Sequence, residues 1–296
     1  KERTAQITSQ KFEIEEKNNE IVDSIQYAKR IQDALMPNDE TIKSYFPDSF
    51  VFFKPKDILS GDFYWFASVD TTPKEEESSE LIVYAAADCT GHGVPGALVS
   101  VVGNNFLNLG MKAPQVNKPS DALDYLNQGL IHTLNKESDS TVRDGMDIAM
   151  CAIDKKKSKL YYAGANNPLW IVRKKEHFSD QYGKVFNEDG FSFFLFEIKA
   201  DKHPIGAYVG DTIKQFTNQE VDLLPGDCIY TFSDGYPDQF GGPKGKKFKY
   251  KPFRELLLNN QNKTMEEQRL LINQQFETWK GDLEQIDDVC IIGVRV

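Results

Sequence analysis

Cysteine and histidine are scarce in this chain, four of each in 296 residues. Cys89, Cys151, Cys228 and Cys290 lie in or beside apolar, strand-like segments, without zinc spacing and without an evident disulfide framework. Reduced core thiols in a cytoplasmic protein are therefore expected. Long apolar runs are also missing. None approaches the roughly 18–20 residues that span a bilayer, and none has the make-up of a signal peptide, so direct membrane insertion by this segment is excluded. Attachment of a longer, full-length protein to a membrane stays open. Positive charge is in deficit: 35 Lys plus Arg against 45 Asp plus Glu leave a net charge of −10. That speaks against nucleic acid or an anionic membrane surface as a main partner. There is no glycine-rich nucleotide-binding frame, no internal repeat and no low-complexity tract.

Residues 1–36 contain neither glycine nor proline. Within them Ile21, Ile25, Ala28, Ile31 and Leu35 recur at helical spacing, a stripe that seams two helices, and the helix is expected to stop before Pro37. A solvated helix docked on its own domain and a dimerising coiled-coil linker both fit this pattern. The chain starts at Lys1 already in helical register, which reads as a fragment of a longer protein. Asn38 and Asp39 are taken as a connection. The organisation expected is 1–44 as a helical linker and 45–296 as one domain, whose core the 40 % hydrophobic and 12 % aromatic content can fill.

Past Pro47 short strands alternate with turn signals: Phe50–Lys54, Phe63–Val69, Leu81–Ala87, Met146–Ile153, Leu160–Ala163, Leu169–Val172, Phe191–Ile198, Thr212–Thr217, Cys228–Phe232 and Val289–Val296. Helices are expected at Val94–Leu109, with Leu98, Val102 and Phe106 on its packed face, and at Ser120–Asn135, with Ser120 as N-cap. Two more are expected at Pro252–Asn259 and Met265–Lys280. Antiparallel strands with paired helices imply an α+β sandwich.

Four aspartates stand out: Asp62 in Gly61-Asp62-Phe63-Tyr64, Asp88 in Asp88-Cys89-Thr90-Gly91-His92-Gly93, Asp234 in Ser233-Asp234-Gly235, and Asp287 in Asp287-Asp288. Three of them adjoin apolar strand-like runs, so they are able to converge in the fold. Converging carboxylates repel unless a cation sits between them, and hard divalent cations prefer oxygen donors. A cluster poor in His and Cys suggests Mg²⁺- or Mn²⁺-assisted phosphoryl chemistry rather than zinc.

Together with Asp144-Gly145-Met146-Asp147 and Ala163-Gly164-Ala165-Asn166-Asn167-Pro168, these motifs occur in one order, and in that order the chain resembles the PPM-type metal-dependent protein Ser/Thr phosphatases of the bacterial SpoIIE-like branch. The resemblance implies two stacked antiparallel sheets with helices on both outer faces. It implies two Mn²⁺ or Mg²⁺ ions held by Asp62, Asp88, Asp234 and Asp287, the last with Asp288 as a rival, and by the backbone carbonyl of Cys89. Attack of metal-bound water on phosphoserine or phosphothreonine would follow. Asp238 matches a third-metal position, and Asp144 and Asp147 are further candidates for it. Lys54, Lys56 and Arg143 are the candidates for gripping substrate phosphate. His92 invites a general-acid role, but its separation of four residues from Asp88 fits a loop-organising histidine better. The implied substrate is a phosphorylated regulator of the anti-anti-sigma (STAS) type. The implied context is an upstream sensor in the same full-length chain and a homodimer through the N-terminal helix. A catalytically silent phosphatase-fold interaction module is the alternative. The run Gly241-Gly242-Pro243-Lys244-Gly245-Lys246-Lys247-Phe248-Lys249 is no P-loop, and reads either as a solvated connection or as a dock for a negatively charged segment.

Overall fold

The computed structural model describes residues 2–70, 80–134, 144–177, 183–186, 190, 192–206 and 213–296. Helix α1 (Glu2–Leu35) is uninterrupted, as its lack of glycine and proline requires, and it carries Lys11–Glu15 and Lys29–Asp33 ion pairs one turn apart. It stops ahead of Pro37. Where a connection was expected, Asn38 instead caps a short helix, α2 (Asp39–Tyr45), accepting the Thr41 N–H at 2.8 Å. Asp39 and Glu40 in its first turn complete an N-terminal signature that was legible in the sequence. Ile42 and Phe46 bury into the domain.

Next come β1 (Ser49–Lys54), β2 (Phe63–Asp70), β3 (Glu80–Cys89), α3 (Gly93–Gly110), α4 (Pro119–Leu134), β4 (Met146–Asp154), β5 (Lys159–Ala165) and β6 (Leu169–Lys174). They are followed by β7 (Lys184–Phe186), β8 (Phe193–Ile198), β9 (Gln219–Asp222), β10 (Cys228–Phe232), α5 (Gly235–Asp238), β11 (Phe240–Gly241) and β12 (Lys246–Lys247). Helices α6 (Tyr250–Asn259) and α7 (Met265–Lys280) and strand β13 (Val289–Arg295) close the chain. One sheet has the order β1-β13-β10-β6-β8-β7 and the other β2-β3-β4-β5-β9, all pairings antiparallel.

Strict alternation along the strands builds the layers. Ile82, Tyr84 and Ala86 of β3 meet Ile229, Cys290 and Ile292 in the core between the sheets. Val83, Ala85 and Ala87 point the other way, under Leu107, Leu123 and Leu126 of α3 and α4. On the opposite outer face Trp170, Tyr230, Phe232 and Ile291 pack against Phe253, Ile272 and Phe276 of α6 and α7. The result is the expected α+β sandwich with helices on both faces. All four cysteines are buried and unpaired.

Three local expectations are corrected. Leu98 on α3 is 64 % exposed, whereas Val102 and Phe106 pack half-buried against the core as expected; the deepest part of the face is Gly96, Val99, Ser100, Gly103 and Leu107. The helix approaches through its small residues, since a Cβ added at Gly103 would lie 2.5 Å from the Met146 methyl. At the start of α4 the Lys118 carbonyl accepts from Asp121 and Ala122, so Pro119 takes the first helical position and Ser120 lies buried in the first turn. Residues 213–217 are not a strand, and Thr212 lies outside the described residues. The Phe216 N–H is taken by Asp124 at 2.9 Å and the Thr217 N–H by Asp201 at 2.7 Å, so side chains satisfy what a ladder would use. The edge strand is β9, a few residues on.

The end of α1 docks on the domain through a buried polar side chain. Gln32 donates to the Ser60 carbonyl at 2.6 Å and to Ser100 Oγ at 3.0 Å, and its Oε1 accepts the Ser60 N–H at 3.1 Å. Asn104 on α3 donates to the Leu35 carbonyl at 3.4 Å. Ile25 and Ala28 are half-buried, whereas Ile21 (56 %) and Ile31 (50 %) stay exposed. The apolar stripe is thus split between a domain-facing side and an open one.

Candidate metal centre

The sheet edges bring the acidic residues together. Asp62 immediately precedes β2, and Asp88 is the penultimate residue of β3. Asp147, second in β4, is set by the ladder directly opposite Asp88. From the other sheet, Asp234 follows β10 by two residues, and Asp287 and Asp288 lead into β13. Like charges opposite one another in a ladder destabilise it, so the Asp88–Asp147 pair is a cost that the fold must offset.

The electrostatics express that cost. Asp62 is 2 % exposed. Its carboxyl is held well above the usual range by burial first and then by the charge of Asp88, with Asp288 and Asp287 adding to it. A hydrogen bond from Ser233 Oγ at 2.5 Å works the other way. Asp88 is pushed up by burial, then by Asp234, Asp287 and Asp147, against a stabilising bond from the Asp234 N–H. Asp234 is raised from 3.8 to about 6, by burial first and then by Asp238, Asp287 and Asp147, with the adjacent Asp88 side chain working the other way. A cation bound among these carboxylates would relieve the same repulsion. Asp287 is raised by burial, with the Asp288 N–H opposing, and with Lys56 as nearby positive charge.

Among the described residues no three acidic, His or Cys groups close on one point in cation-holding geometry. Asp62 instead accepts from Ser233 Oγ, Asp147 accepts from Asn166 Nδ2 at 2.8 Å, and Asp88 accepts the Asp234 N–H. The donor set itself, all hard oxygen and mutually repelling, fits Mg²⁺ or Mn²⁺. Cys89 is buried, its thiol pushed well up by burial, and its carbonyl faces Gly61.

The other sequence candidates separate. Asp238 lies on the α5 turn, adds to the charge on Asp234 and is held by Lys247 Nζ at 2.7 Å. Asp144 is half-buried ahead of β4, and it is Asp147 that reaches the Asp88 register position. Asp288 is a clamp: it is 2 % exposed, and its oxygens accept the N–H groups of Lys56 and Gly61, both at 2.7 Å, which fixes the turn that delivers Asp62. Lys54 is drawn away to Glu277 on α7 at 2.8 Å. Lys56 Nζ meets His92 Nε2 at 3.0 Å, while His92 Nδ1 meets Asp57 at 2.7 Å. With its proton on Nδ1, the ring donates to Asp57 and accepts from Lys56, which agrees with the loop-organising reading of His92. Arg143 lies outside the described residues.

Ser233, Asn166 and Asp57 were not singled out from the sequence. Ser233 and Asn166 stood inside quoted motifs, but their roles depend on contacts between segments far apart in the chain. Asn166 also holds a positive φ of 58°, which places it at the strand end where it meets Asp147.

The sequence profile of the family described as Stage II sporulation protein E (SpoIIE) matches residues 78–296. Asp88, Asp234 and Asp287 fall inside that match; Asp62 and Lys56 precede it. No curated protein matches. Among solved structures, the SiaA-PP2C domain of Pseudomonas aeruginosa is 28 % identical with a TM-score of 0.74, covering 94 % of this chain and 98 % of that one. The PPM Ser-Thr phosphatase MsPP from Mycobacterium smegmatis, solved with cacodylate, shares the fold at 12 % identity and TM-score 0.52, covering 85 % of this chain and 99 % of that one. RsbX in complex with magnesium is 13 % identical with a TM-score of 0.50, over 84 % of this chain and 94 % of that one.

Proposed function

The chain belongs to the SpoIIE family of PPM-type Ser/Thr phosphatases, and from that premise we propose that it hydrolyses phosphoserine or phosphothreonine on a regulatory protein in a Mn²⁺- or Mg²⁺-dependent reaction. The observation that carries this reading is the packing of Asp62, Asp88, Asp234 and Asp287 at the shared edge of two sheets, where Asp88 and Asp287 raise Asp62, Asp234 and Asp287 raise Asp88, and Asp287 raises Asp234. Those four side chains and the Cys89 carbonyl would hold two ions, with Asp238, Asp147 or Asp144 as donors to a third. When bound, the metal supplies Lewis acidity and a water of lowered pKa near the phosphorus. Magnesium in RsbX is in keeping with that assignment.

The remaining work falls to the chain's own groups. Lys56 is the best-placed cation for a substrate phosphate oxygen: it already lowers the carboxyl of Asp287, and the Asp57–His92 pair limits its swing. Asp288 holds the turn on which both Lys56 and Asp62 depend. Lys56→Met is expected to raise KM for a phosphoserine peptide about tenfold, the loss of one charge-assisted hydrogen bond. Lys54→Met should stay within about twofold, because its ion pair is half-exposed and peripheral. Initial rates with and without Mn²⁺ check both. No Mn²⁺-dependent phosphate release from any phosphoserine substrate would rule out the phosphatase reading.

We further propose that residues 1–44 form the signalling linker, that 45–296 form the phosphatase domain, and that the open side of α1 pairs with a second copy. The partners suggested by the family are a phosphorylated anti-anti-sigma-type protein and a sensor in the full-length chain, in the cytoplasm. No helix among the described residues is long and apolar enough to cross a membrane. Because Ile21 and Ile31 are exposed, Ile21→Glu with Ile31→Glu should convert a dimer to a monomer in light scattering without lowering the melting temperature of the domain. A parent that is monomeric at every accessible concentration would remove the dimer from the account.

A further inference from the structure

The chain carries a net charge of −10, yet one short segment runs the other way. Strands β11 and β12 form a hairpin, Phe240 opposite Lys247 and Gly241 opposite Lys246. Lys244, Lys246, Lys247, Lys249 and Lys251 are all exposed along it and just beyond it. Lys247 pairs with Asp238 and Lys251 with Glu255. Among the described residues no ion pair engages Lys244, Lys246 or Lys249.

This is a built platform rather than a loose loop. Phe248 is buried against Tyr236 and Trp279, with ring centroids 5.4 and 5.3 Å away. The Gly242 N–H donates to the Trp279 carbonyl at 2.7 Å, and the Phe248 N–H to the Gln239 carbonyl at 2.9 Å. Gly241 lies so close to Trp279 that an added Cβ would sit 1.9 Å from its carbonyl oxygen. Lys249 holds a φ of 74°, a conformation costing a non-glycine residue about 1–3 kcal/mol, and its N–H is pinned to the Pro237 carbonyl at 2.6 Å. The platform adjoins the carboxylate cluster. Asp238 both pairs with Lys247 and adds charge to Asp234, and the half-exposed Tyr250 at its far end has its hydroxyl pushed up to about 12, by burial first and then by Asp234, Asp238 and Asp88.

We propose that the β11–β12 hairpin is an electrostatic docking platform for acidic residues that flank the phosphorylated residue of a protein substrate. This rests on the phosphatase reading and adds to it a substrate class. An acidic enzyme repels an acidic phosphoprotein overall, so a rigid patch of opposite sign beside the site steers the approach and sets the orientation. A rim of this kind acts on association and salt dependence more than on the chemical step.

The test compares the parent with Lys244→Glu/Lys246→Glu and with Lys244→Gln/Lys246→Gln, on three probes. These are p-nitrophenyl phosphate and two phosphoserine peptides of equal length, one flanked by Asp and Glu and the other by neutral residues. The parent should favour the acidic-flanked peptide about tenfold in kcat/KM at low salt, and added salt should erase the preference. Charge reversal should abolish that preference, neutralisation should halve it or more, and both variants should hydrolyse p-nitrophenyl phosphate at the parental rate. A preference retained after charge reversal, or an equal loss on all three probes, overturns the proposal. If the parent hydrolyses nothing with Mn²⁺, the phosphatase reading fails by itself. Fluorescence anisotropy of the labelled acidic-flanked peptide then decides the docking: binding lost on charge reversal supports it, and binding unchanged overturns it.

Discussion

Asp88→Asn is expected to lower Mn²⁺-dependent phosphoserine hydrolysis by about 1,000-fold or more, the equivalent of roughly 4 kcal/mol of lost transition-state stabilisation. The metal-free variant should melt at the parental temperature or above it. The two outcomes have one cause. Asp88 is buried, faces Asp147 across the ladder and is raised further by Asp234 and Asp287. An amide of the same shape removes one charge from a repelling group, so folding loses nothing, whereas the cation loses a donor that no neighbour replaces. Turnover and thermal melts on the same samples separate the effects. A variant with parental activity would remove Asp88 from the centre; one that melts well below the parent would make Asp88 a structural residue.

The second large effect is a dependence of metal-free stability on pH. Asp234 is raised from 3.8 to about 6. A group raised in the folded state contributes stability that is fully present below its unfolded value and is lost as pH rises through the folded one. The window is therefore about pH 4–6, and the loss is on the order of 2 kcal/mol for a shift of this size at a largely buried site. Asp62, Asp88 and Asp287 are raised too and act in the same direction. Metal-free protein should accordingly melt several degrees lower at pH 7.5 than at pH 5. Saturating Mn²⁺ should remove most of that difference, because the cation replaces the protons that the cluster otherwise needs. Asp234→Asn should flatten the metal-free profile. A parental profile that is flat from pH 5 to 7.5 without metal would contradict the electrostatic account of this edge.

How far the sequence could be read depended on whether a feature was local. The alternation in Leu81–Ala87 places Ile82, Tyr84 and Ala86 on one side and Val83, Ala85 and Ala87 on the other, and the two cores follow it. Met265–Lys280 is legible end to end because Thr264 and Glu267 form a capping box. On α3, Val102 and Phe106 pack as expected but Leu98 does not, because the closest approach is made by Gly96 and Gly103, which a search for apolar side chains passes over. Residues 213–217 have strand-like content, but Asp124 and Asp201 occupy their N–H groups from distant segments. At the site, the aspartates were legible as ordered motifs at strand ends. Their partners were not, because Ser233 on Asp62 and Asn166 on Asp147 depend on register and on the stacking of the sheets. Sequence alone left Lys54 and Lys56 equal; Glu277, more than 200 residues away on α7, separates them.

The central claim is that the edge shared by the two sheets holds divalent cations between Asp62, Asp88, Asp234 and Asp287. Anomalous diffraction at the manganese edge from Mn²⁺-soaked crystals tests it most directly. The account predicts two peaks within coordinating distance of those four carboxylates, about 2.0–2.3 Å, with the Cys89 carbonyl beside one of them. It also predicts loss of at least one peak in Asp88→Asn. Manganese bound elsewhere, with this edge empty at saturating concentration, would contradict it.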